Sequence, residues 1–374
     1  MTNLIDKLEN IDWDFPNSSR EKGIHNIHPY PAKFIPEIPR TLIDVLGVPK
    51  NTYVFDPFCG SGATLIESQS AGFPAIGIDL NPIACLISRV KTQTLPDEFL
   101  DIANKVINSA SNNNNSIEIP QIPRIDHWYK PEIQEAIAKL LVNINQVQNE
   151  NIRDALRLSL SAILVKVSNQ ESDTRYAAIE KNVSTSNVYS YYLSTVEKIW
   201  KSRNEISNPR PEVFVFQKDI LTVDANDINK PIGMVITSPP YPNAYEYWLY
   251  HKYRMYWLGF DPINMREHEI GARAHYFQSN PSTKVDFQNQ MMQLMQLLTK
   301  LVVEDGYICI VIGRSKIHGE IIDNSSMLVE IGKFLNLEVI DILPRKIAES
   351  RKNFNLAHAN IKTENILIFK KTHK

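Results

Sequence analysis

The sequence is poor in cysteine, with three residues among 374. Cys59, Cys85 and Cys309 lie far apart, and no CxxC pair is present. This argues against a disulfide framework and against a cysteine zinc site, and it is typical of a protein in a reducing cytoplasm. The nine histidines are scattered without a ligand pattern. We therefore predict no bound metal and a cytoplasmic location.

The sequence also lacks long apolar runs. No stretch approaches the roughly 18 apolar residues that a membrane-spanning helix needs. The N-terminal segment "MTNLIDKLENIDWDF" contains acids and no apolar core, so it does not have the pattern of a secretory signal. We expect no membrane partner.

An excess of positive charge is missing as well, because 40 Lys and Arg face 42 Asp and Glu, for a formal net charge of −2. Dedicated nucleic-acid binders are often basic overall. Such a role would therefore need local basic patches, and "HKYR" (251–254), "GRSK" (313–316) and "RKIAESRK" (345–352) are candidates. A solvated surface explains any one of these segments at least as well.

The N-terminal third contains a strand, a glycine loop, a helix and a second strand. "YVFD" (53–56) is an apolar strand, and "PFCGSGATLIESQSAG" (57–72) reads as a glycine turn followed by a helix. "PAIGIDL" (74–80) is a short buried strand that ends in an acid. This order predicts the start of a doubly wound α/β sheet.

Strand signals then disappear until about residue 210. The intervening chain has apolar residues at helical spacing, as in "PEIQEAIAKLLVNINQ" (131–146) and "IRDALRLSLSAILVKV" (152–167). Strands return at 212–220, 233–241, 305–314, 338–347 and 364–371. We therefore divide the chain into an N-terminal cofactor part (1–90), a helical insertion (91–210) and the remainder of the catalytic domain (211–374).

The glycine loop "DPFCGSG" follows a strand and precedes a helix, where glycines let the backbone approach a ligand closely. Asp79 ends the next strand about 20 residues later, the position of an acid that accepts ribose hydroxyls. The loop lacks the third glycine of the dinucleotide fingerprint and the GK[ST] of a triphosphate site. This favours S-adenosylmethionine over NAD or ATP. A tight turn without a ligand explains the loop alone equally well.

Three segments together resemble the amino-group DNA methyltransferases, which methylate the exocyclic N4 of cytosine or N6 of adenine. They are "HPYPAKFIPEIPR" (28–40), "DPFCGSGATL" (56–65) and "TSPPY" (237–241). The resemblance implies a Rossmann-like class I sheet of about seven mostly parallel strands. It also implies S-adenosyl-L-methionine as cofactor and double-stranded DNA as partner, with a cognate restriction endonuclease as a candidate second partner. It says nothing about oligomeric state.

The resemblance also assigns cofactor contacts residue by residue. In the glycine loop, Phe58, Gly60 and Gly62 line the cofactor site, Asp56 lies near the methionine amino group, and Thr64 reaches the carboxylate. Asp79 takes the ribose, and Asp219 takes the adenine amino group. The N-terminal motif, which packs over the methionine end, contributes the set His28, Pro29, Lys33 and Phe34.

Two features depart from the family pattern. The loop reads GSGAT where GSGTT is frequent, and the cofactor motifs precede the catalytic motif, whereas many relatives have the reverse order. The order found here resembles the arrangement in which the target-recognition region lies between the two halves. Residues 91–210 would then be that region, although they match no known recognition domain.

The turn "SPPY" carries the predicted catalytic residues Ser238, Pro239, Pro240 and Tyr241. The Ser238 hydroxyl and the Pro239 carbonyl would accept hydrogen bonds from the target amino group, and Tyr241 would stack on the flipped base. Serine in the first position is typical of the cytosine-N4 branch. Adenine-N6 is the close alternative, and an RNA amino group is a more distant one. A strand-ending turn with a packed tyrosine would explain the stretch if it stood alone.

Basic side chains beyond this turn are candidates for DNA contact. The aromatic stretch 245–260 includes two of them, although a helix packed on the sheet is the preferred interpretation of its aromatics. The stretch 266–277 is expected to form a mobile loop near the site, and 345–365 a basic connection. The full set is Lys252, Arg254, Arg266, Arg273, Arg345 and Arg351.

Overall fold

The computed structural model describes residues 2–18, 21–113, 115–173, 175–206, 209–242, 245–347 and 363–373. The strands in these residues are β1 (Tyr53–Asp56), β2 (Ala75–Asp79), β3 (Val213–Gln217), β4 (Ile232–Thr237), β5 (Val302–Gly313), β6 (Ser315–Ile317), β7 (Glu320–Ile322), β8 (Leu337–Lys346) and β9 (Thr363–Lys371).

The α-helices in the same residues are α1 (Thr2–Glu9), α2 (Glu37–Leu46), α3 (Ala63–Ser70), α4 (Pro82–Thr92), α5 (Phe99–Ser111), α6 (Ile125–Trp128), α7 (Pro131–Asn145), α8 (Glu150–Ile163), α9 (Thr185–Ser202), α10 (Tyr247–Trp257), α11 (Pro262–His268), α12 (Lys284–Leu301) and α13 (Asn324–Phe334). Short 3-10 turns lie at Gly23–Asn26, Ile220–Thr222, Ala225–Asp227 and Arg273–Tyr276.

Seven of the described strands form one sheet in the order β3-β2-β1-β4-β5-β9-β8. Neighbouring strands from β3 to β5 are parallel, and β9 runs antiparallel to both β5 and β8. The predicted fold class, a mostly parallel Rossmann-like sheet of about seven strands, is confirmed. The small hairpin of β6 and β7 was not predicted, because three-residue strands leave almost no pattern in a sequence.

Both faces of the sheet are covered, so its central strands are mostly apolar. In β1, Val54 points into a core shared with α1, α2 and α3, while Phe55 points into a core shared with α12 and α13. Successive side chains of a strand alternate between faces, and here both faces are buried. This explains why "YVFD" reads as a continuous apolar run and not as an alternating one.

A third core lies among the helices from α4 to α9, and α10 also packs into it. Ile87 of α4, Leu156 of α8, Tyr192 of α9 and Trp257 of α10 belong to it, and all are buried. The predicted helical insertion is therefore helical, and it packs directly on the sheet domain through α4 and α10. The boundaries at 90 and 210 stay a prediction. No helix within the described ranges is long and apolar enough to cross a membrane.

The strand order changes direction beside β1. The chain passes from β1 to β2 and β3 on one side of the sheet, and then to β4 and β5 on the other. At such a switch point the loops after adjacent strands diverge and leave a crevice at the carboxyl ends of the strands. The glycine loop follows β1 and the "SPPY" turn follows β4, so the two main sequence motifs face the same crevice.

Candidate active site

A cavity of about 210 Å³ lies at this carboxyl edge. Its walls come from the N-terminal motif, the loops after β1 to β4, and the segment at the end of α11. The predicted cofactor and catalytic residues that line it are Lys33, Phe34, Asp56, Phe58, Gly60, Asp79, Asp219, Ser238, Pro239, Pro240 and Tyr241. Segments about 200 residues apart in sequence thus meet at one site.

Four predicted cofactor contacts, His28, Pro29, Gly62 and Thr64, do not line the cavity. His28 is buried against the insertion, with Nε2 2.9 Å from the Ser161 hydroxyl of α8, and Pro29 accepts from its Nδ1 at 2.6 Å. Gly62 has φ of +80°, and a Cβ there would lie 2.7 Å from Ser88 Oγ. This glycine therefore serves close packing of the loop on α4.

Thr64 is the fourth of these residues. Its hydroxyl donates to the Ile236 carbonyl of β4 at 3.3 Å, so it ties α3 to the strand that precedes the catalytic turn. The Thr64 side chain therefore lies behind the cavity wall.

Asp56 connects the cofactor loop to the catalytic strand. Its Oδ1 accepts from the Thr237 hydroxyl at 2.7 Å and from the Phe58 amide at 3.1 Å. Burial raises the pKa of this carboxyl to about 6, although these hydrogen bonds oppose the shift. The position of the "SPPY" turn is thus coupled to the end of β1.

Asp79 shapes the glycine loop from the neighbouring strand. Its two oxygens accept from the Gly60 amide and the Asn81 amide, each at 2.8 Å. Burial raises the pKa of Asp79 to about 6. Asp219 follows β3, and its Oδ1 accepts from the Leu221 amide at 2.9 Å. Two acids from adjacent strands therefore face one end of the cavity.

Three comparisons with known proteins can be set beside this geometry. The family model N6_N4_Mtase, described as "DNA methylase", matches residues 5–89. Type II methyltransferase M.MvaI of Kocuria varians is 24% identical over 269 residues, which cover 64% of this chain and 59% of the relative. Type II methyltransferase M.BsoBI of Geobacillus stearothermophilus is 24% identical over 322 residues, which cover 78% of this chain and 62% of the relative.

The chain is thus similar to amino-group DNA methyltransferases, by the family model and by both relatives. It spans 59% and 62% of the length of these two relatives. Among solved structures, a TehB-like SAM-dependent methyltransferase from Corynebacterium glutamicum covers 89% of this chain and 87% of its own, at 9% identity and a TM-score of 0.32. A TM-score of 0.32 is too low to support an argument, and the fold assignment therefore rests on the strand order.

The cavity fits S-adenosylmethionine, the cofactor that the resemblance in sequence implies. Gly60 leaves room beside Tyr30, since a Cβ at Gly60 would lie 3.4 Å from the Tyr30 hydroxyl. Asn81 caps α4 through Oδ1, while its buried Nδ2 has no partner within the described ranges. A buried donor of this kind is costly unless a ligand accepts from it. The acids Asp79 and Asp219 supply acceptors for hydroxyl and amino groups.

The cavity has a wall that the sequence did not reveal. Tyr30 stacks on Tyr247 with ring centroids 5.9 Å apart, and both line the cavity. Glu269, which is 5% exposed, accepts from the amides of Tyr247 at 2.9 Å and Trp248 at 2.8 Å. It therefore caps α10 from a segment some 20 residues further along the chain. Within the expected mobile loop at 266–277, residues 269–272 are buried, whereas residues 267, 268 and 277 are exposed.

Burial raises the pKa of Glu269 to about 8, against the two amides that lower it. The folded protein then holds this proton more tightly than the unfolded chain, whose glutamates titrate near 4.3. Stability from this group is therefore lost as the pH rises between these values. Thermal melts from pH 5 to pH 8 should show the wild type losing stability relative to Glu269→Gln with each step upward. A pH-independent difference between the two proteins would contradict this assignment.

Two of the predicted DNA contacts are not at the surface, and the prediction is corrected for them. Arg254 is 1% exposed, and its guanidinium binds Asp173, the Ser161 carbonyl and the Tyr250 carbonyl. Arg345 is 5% exposed and lines the cavity. Arg351 lies outside the described residues.

Three predicted DNA contacts are partly exposed. Lys252 lies over the rings of Trp248 and Tyr253, at 5.8 and 5.9 Å from their centroids. Arg266 lies 5.6 Å from the same Trp248 ring, and Arg273 lies over Phe277. Arg266 is flanked by Met265 and His268, two residues that line the cavity. In the ranges that the structure describes, no three His, Cys, Asp or Glu side chains are grouped so as to hold a metal ion.

Proposed function

We propose that this protein is a site-specific DNA methyltransferase that transfers the methyl group of S-adenosylmethionine to the exocyclic N4 of cytosine. The observation that carries the proposal is that Ser238, the first residue of the catalytic turn, lines the same cavity as Asp79 and the glycine loop. The turn alone could be structural, and the loop alone could be a tight bend. Their convergence on one cavity favours methyl transfer.

The cofactor would be held along the carboxyl edge of the sheet. Asp79 would accept from the ribose hydroxyls and Asp219 from the adenine amino group, with Phe58 and Gly60 beside them. Asp56, Lys33 and Phe34 would surround the methionine end. The bound cofactor supplies a methyl group on a positively charged sulfur.

The residues of the catalytic turn would prepare the amino nitrogen of the base. The lone pair of this nitrogen is conjugated into the ring, which makes it a poor nucleophile. Acceptors at Ser238 Oγ and the Pro239 carbonyl would bind its two N–H groups and draw the lone pair out of conjugation. Pro239 and Pro240 fix the backbone, so the acceptors are in place before the base arrives. The proton leaves after methylation, when the amine has become acidic.

The target base would have to leave the duplex, because its amino group is paired there. Tyr241 lines the cavity three residues after Ser238 and would provide the face on which the extruded base stacks. Such stacking on an aromatic side chain contributes about 1–3 kcal/mol per base.

A basic surface borders the cavity and would bind the DNA backbone. It consists of Arg124, Lys252 and Arg266, from the loop before α6, α10 and α11. The Tyr253 hydroxyl donates to the Pro123 carbonyl at 3.1 Å, which brings the loop of Arg124 to α10. Burial lowers the pKa of Lys252, and repulsion from Arg124 and Arg266 adds to this effect. A phosphate group would relieve that repulsion.

Replacing Lys252 and Arg266 together by alanine should weaken duplex binding and reduce the slope of log K against log salt by about 2, one for each phosphate that the variant no longer neutralises. Fluorescence anisotropy across a salt series measures both. Lys50→Ala is the matched control, because Lys50 is exposed at the opposite edge of the sheet, before β1. Equal slopes for the double variant and the control would remove this surface from the DNA interface.

Adenine-N6 methylation is the alternative reaction in the same site, since the same two acceptors could hold that amino group. Ser238 favours cytosine over adenine. We further propose that residues 91–210 contribute to recognition of the target sequence and that a cognate restriction endonuclease acts with this protein. An RNA amino group is the more distant alternative.

The experiment that tests the function uses purified protein and S-adenosylmethionine with a labelled methyl group. We expect label to enter duplex DNA that lacks prior modification, and to remain absent from total RNA. Label in RNA alone would overturn the proposed substrate class. Asp224→Asn is a suitable control variant, because Asp224 is an exposed acid that caps a short helix outside the cavity.

A further inference from the structure

Arg345 is a buried cation in the wall of the cavity. It is 5% exposed, lies near the end of β8, and lines the cavity together with Glu364 of β9. The two residues face each other in the register of β8 and β9, and Arg345 Nη1 donates to Glu364 Oε2. Arg345 Nε donates to the Trp13 carbonyl at 3.0 Å. The guanidinium is therefore held from two sides.

Part of the Arg345 guanidinium has no partner among the described residues. An arginine side chain offers five N–H donors and no acceptor, and two of these donors are on Nη2. Arg345 Nη2 is buried, and no described residue accepts a hydrogen bond from it. A buried donor without an acceptor is costly, and more so when the group is charged. A ligand that presents an oxygen to Arg345 would remove this cost.

The strand order places Arg345 on the side of the cavity where the target base would enter. Asp79 and Asp219, the proposed contacts of the cofactor nucleoside, come from the ends of β2 and β3, whereas β8 lies at the opposite edge of the sheet, beyond β4 and β5. Glu364 also accepts from the Tyr241 hydroxyl at 3.0 Å, so the pair of Arg345 and Glu364 adjoins the catalytic turn. An oxygen that reaches Arg345 would thus belong to the extruded base and not to the nucleoside of the cofactor.

We propose that Arg345 is a specificity-determining residue whose guanidinium donates to the O2 carbonyl of the extruded cytosine, while Ser238 and Pro239 hold its amino group. The inference rests on the proposed function. In cytosine the amino group and O2 lie on either side of the ring nitrogen N3. One base can therefore engage the catalytic turn with one end and Arg345 with the other.

This contact would separate cytosine from adenine. Adenine carries its amino group beside N1, and the next ring position is a C–H group that accepts no hydrogen bond. A site built to donate to a substrate discriminates strongly against an analogue that lacks the acceptor, because the buried donor is then left unpaired. Since arginine has no acceptor of its own, no other orientation of its side chain would suit adenine. Arg345 would thus add to the preference for cytosine that Ser238 indicates.

A cycle that combines one protein variant with one change in the substrate tests the inference. The substrate is a duplex with a site that the protein methylates, in which the target cytosine is either unchanged or replaced by 2-thiocytosine, whose sulfur is a weak acceptor. The variant is Arg345→Lys, which removes the second arm of the guanidinium. It keeps a cation for Glu364, because a buried carboxylate left without its partner would strongly destabilise the protein.

We expect 2-thiocytosine to lower kcat/KM of the wild type about tenfold, and Arg345→Lys to lower kcat/KM on cytosine about 10- to 100-fold, the loss from one hydrogen bond to a charged group. Once the arginine is gone, the sulfur should matter little, so Arg345→Lys should act on the two duplexes at rates within about twofold of each other. The Kd of this variant for S-adenosylmethionine should stay within about twofold of the wild type, less than one hydrogen bond contributes.

The matched control is Arg89→Lys. Arg89 Nε pairs with the buried Asp154 at 2.7 Å, and neither residue lines the cavity, so this variant should respond to the two duplexes as the wild type does. Losses that multiply when Arg345→Lys meets 2-thiocytosine would overturn the inference, because a merely structural role of Arg345 would not depend on one atom of the base. Weaker binding of S-adenosylmethionine by Arg345→Lys would overturn it as well, since it would place Arg345 at the cofactor.

The wild type alone also decides the matter if Arg345→Lys does not fold. Equal kcat/KM on cytosine and 2-thiocytosine would overturn the inference and leave the proposed function intact. A contact of Arg345 with a DNA phosphate would give that result. A wild-type protein that methylates only adenine, or only RNA, would overturn the proposed function and this inference with it.

Discussion

Replacing Ser238 by alanine is expected to lower kcat for DNA methylation by about 10²- to 10³-fold, the usual loss when one preorganised hydrogen-bonding group is removed from a reacting centre. The serine follows β4 directly, on a turn that two prolines hold rigid, so no other side chain of the turn replaces its acceptor. Because the proposed cofactor contacts come from other loops, the Kd for S-adenosylmethionine should change by less than about threefold, which is at the lower end of the contribution of one hydrogen bond.

Two control variants test whether the loss of activity comes from the Ser238 hydroxyl itself. Ser238→Thr keeps a hydroxyl on the turn and should retain more activity than the alanine variant. Ser326→Ala removes an exposed serine at the start of α13, outside the cavity, and should behave as the wild type. A Ser238→Ala protein with full kcat would show that the turn is structural.

Replacing Asp79 by asparagine is expected to weaken S-adenosylmethionine binding by about 10- to 100-fold, since a hydrogen bond to a charged acceptor contributes about 1.5–3 kcal/mol. The asparagine keeps one of the two acceptors that bind the Gly60 and Asn81 amides, so a thermal melt of the variant must show that the protein remains folded. The pKa of Asp79 is raised to about 6 by burial. Protonation therefore removes the charged acceptor below that pH, and the affinity of the wild type should fall as the pH drops from 7 to 5.

Isothermal titration calorimetry at several pH values measures both effects. Asp79→Asn should be weak throughout and should lose the part of the pH dependence that Asp79 causes, while Asp224→Asn should follow the wild type. At saturating cofactor, kcat of Asp79→Asn should remain within a few fold of the wild type. A wild-type affinity that is flat between pH 5 and pH 7 would contradict the placement of Asp79 against the cofactor.

The parts of the fold that could be predicted from sequence depend on local patterns. The central strands are short apolar runs, and β1 has the bounds that its residues indicated, because burial on both faces leaves no polar interruption. The loop after β1 could be placed as well, since two glycines with positive φ are needed where it turns into α3.

The parts that could not be predicted depend on contacts between distant segments. Glu269 and Glu364 act on residues from which they are separated by whole helices or strands, and their immediate neighbours in sequence carry no sign of this. The burial of Arg254 could not be predicted, because α10 is aromatic on every side and the sequence does not indicate which side faces the insertion. A basic residue in such a helix can be exposed, as Lys252 partly is, or buried on an acid, as Arg254 is on Asp173.

The central claim is the base that receives the methyl group, and one measurement addresses it directly. The chain is expressed in a host that lacks DNA modification, the host DNA is digested to nucleosides, and methylated bases are quantified by mass spectrometry. The account predicts N4-methylcytosine, which disappears when Ser238→Ala is expressed instead. N6-methyladenine without N4-methylcytosine would contradict the assignment of cytosine, and methylation confined to RNA would contradict the proposed function itself.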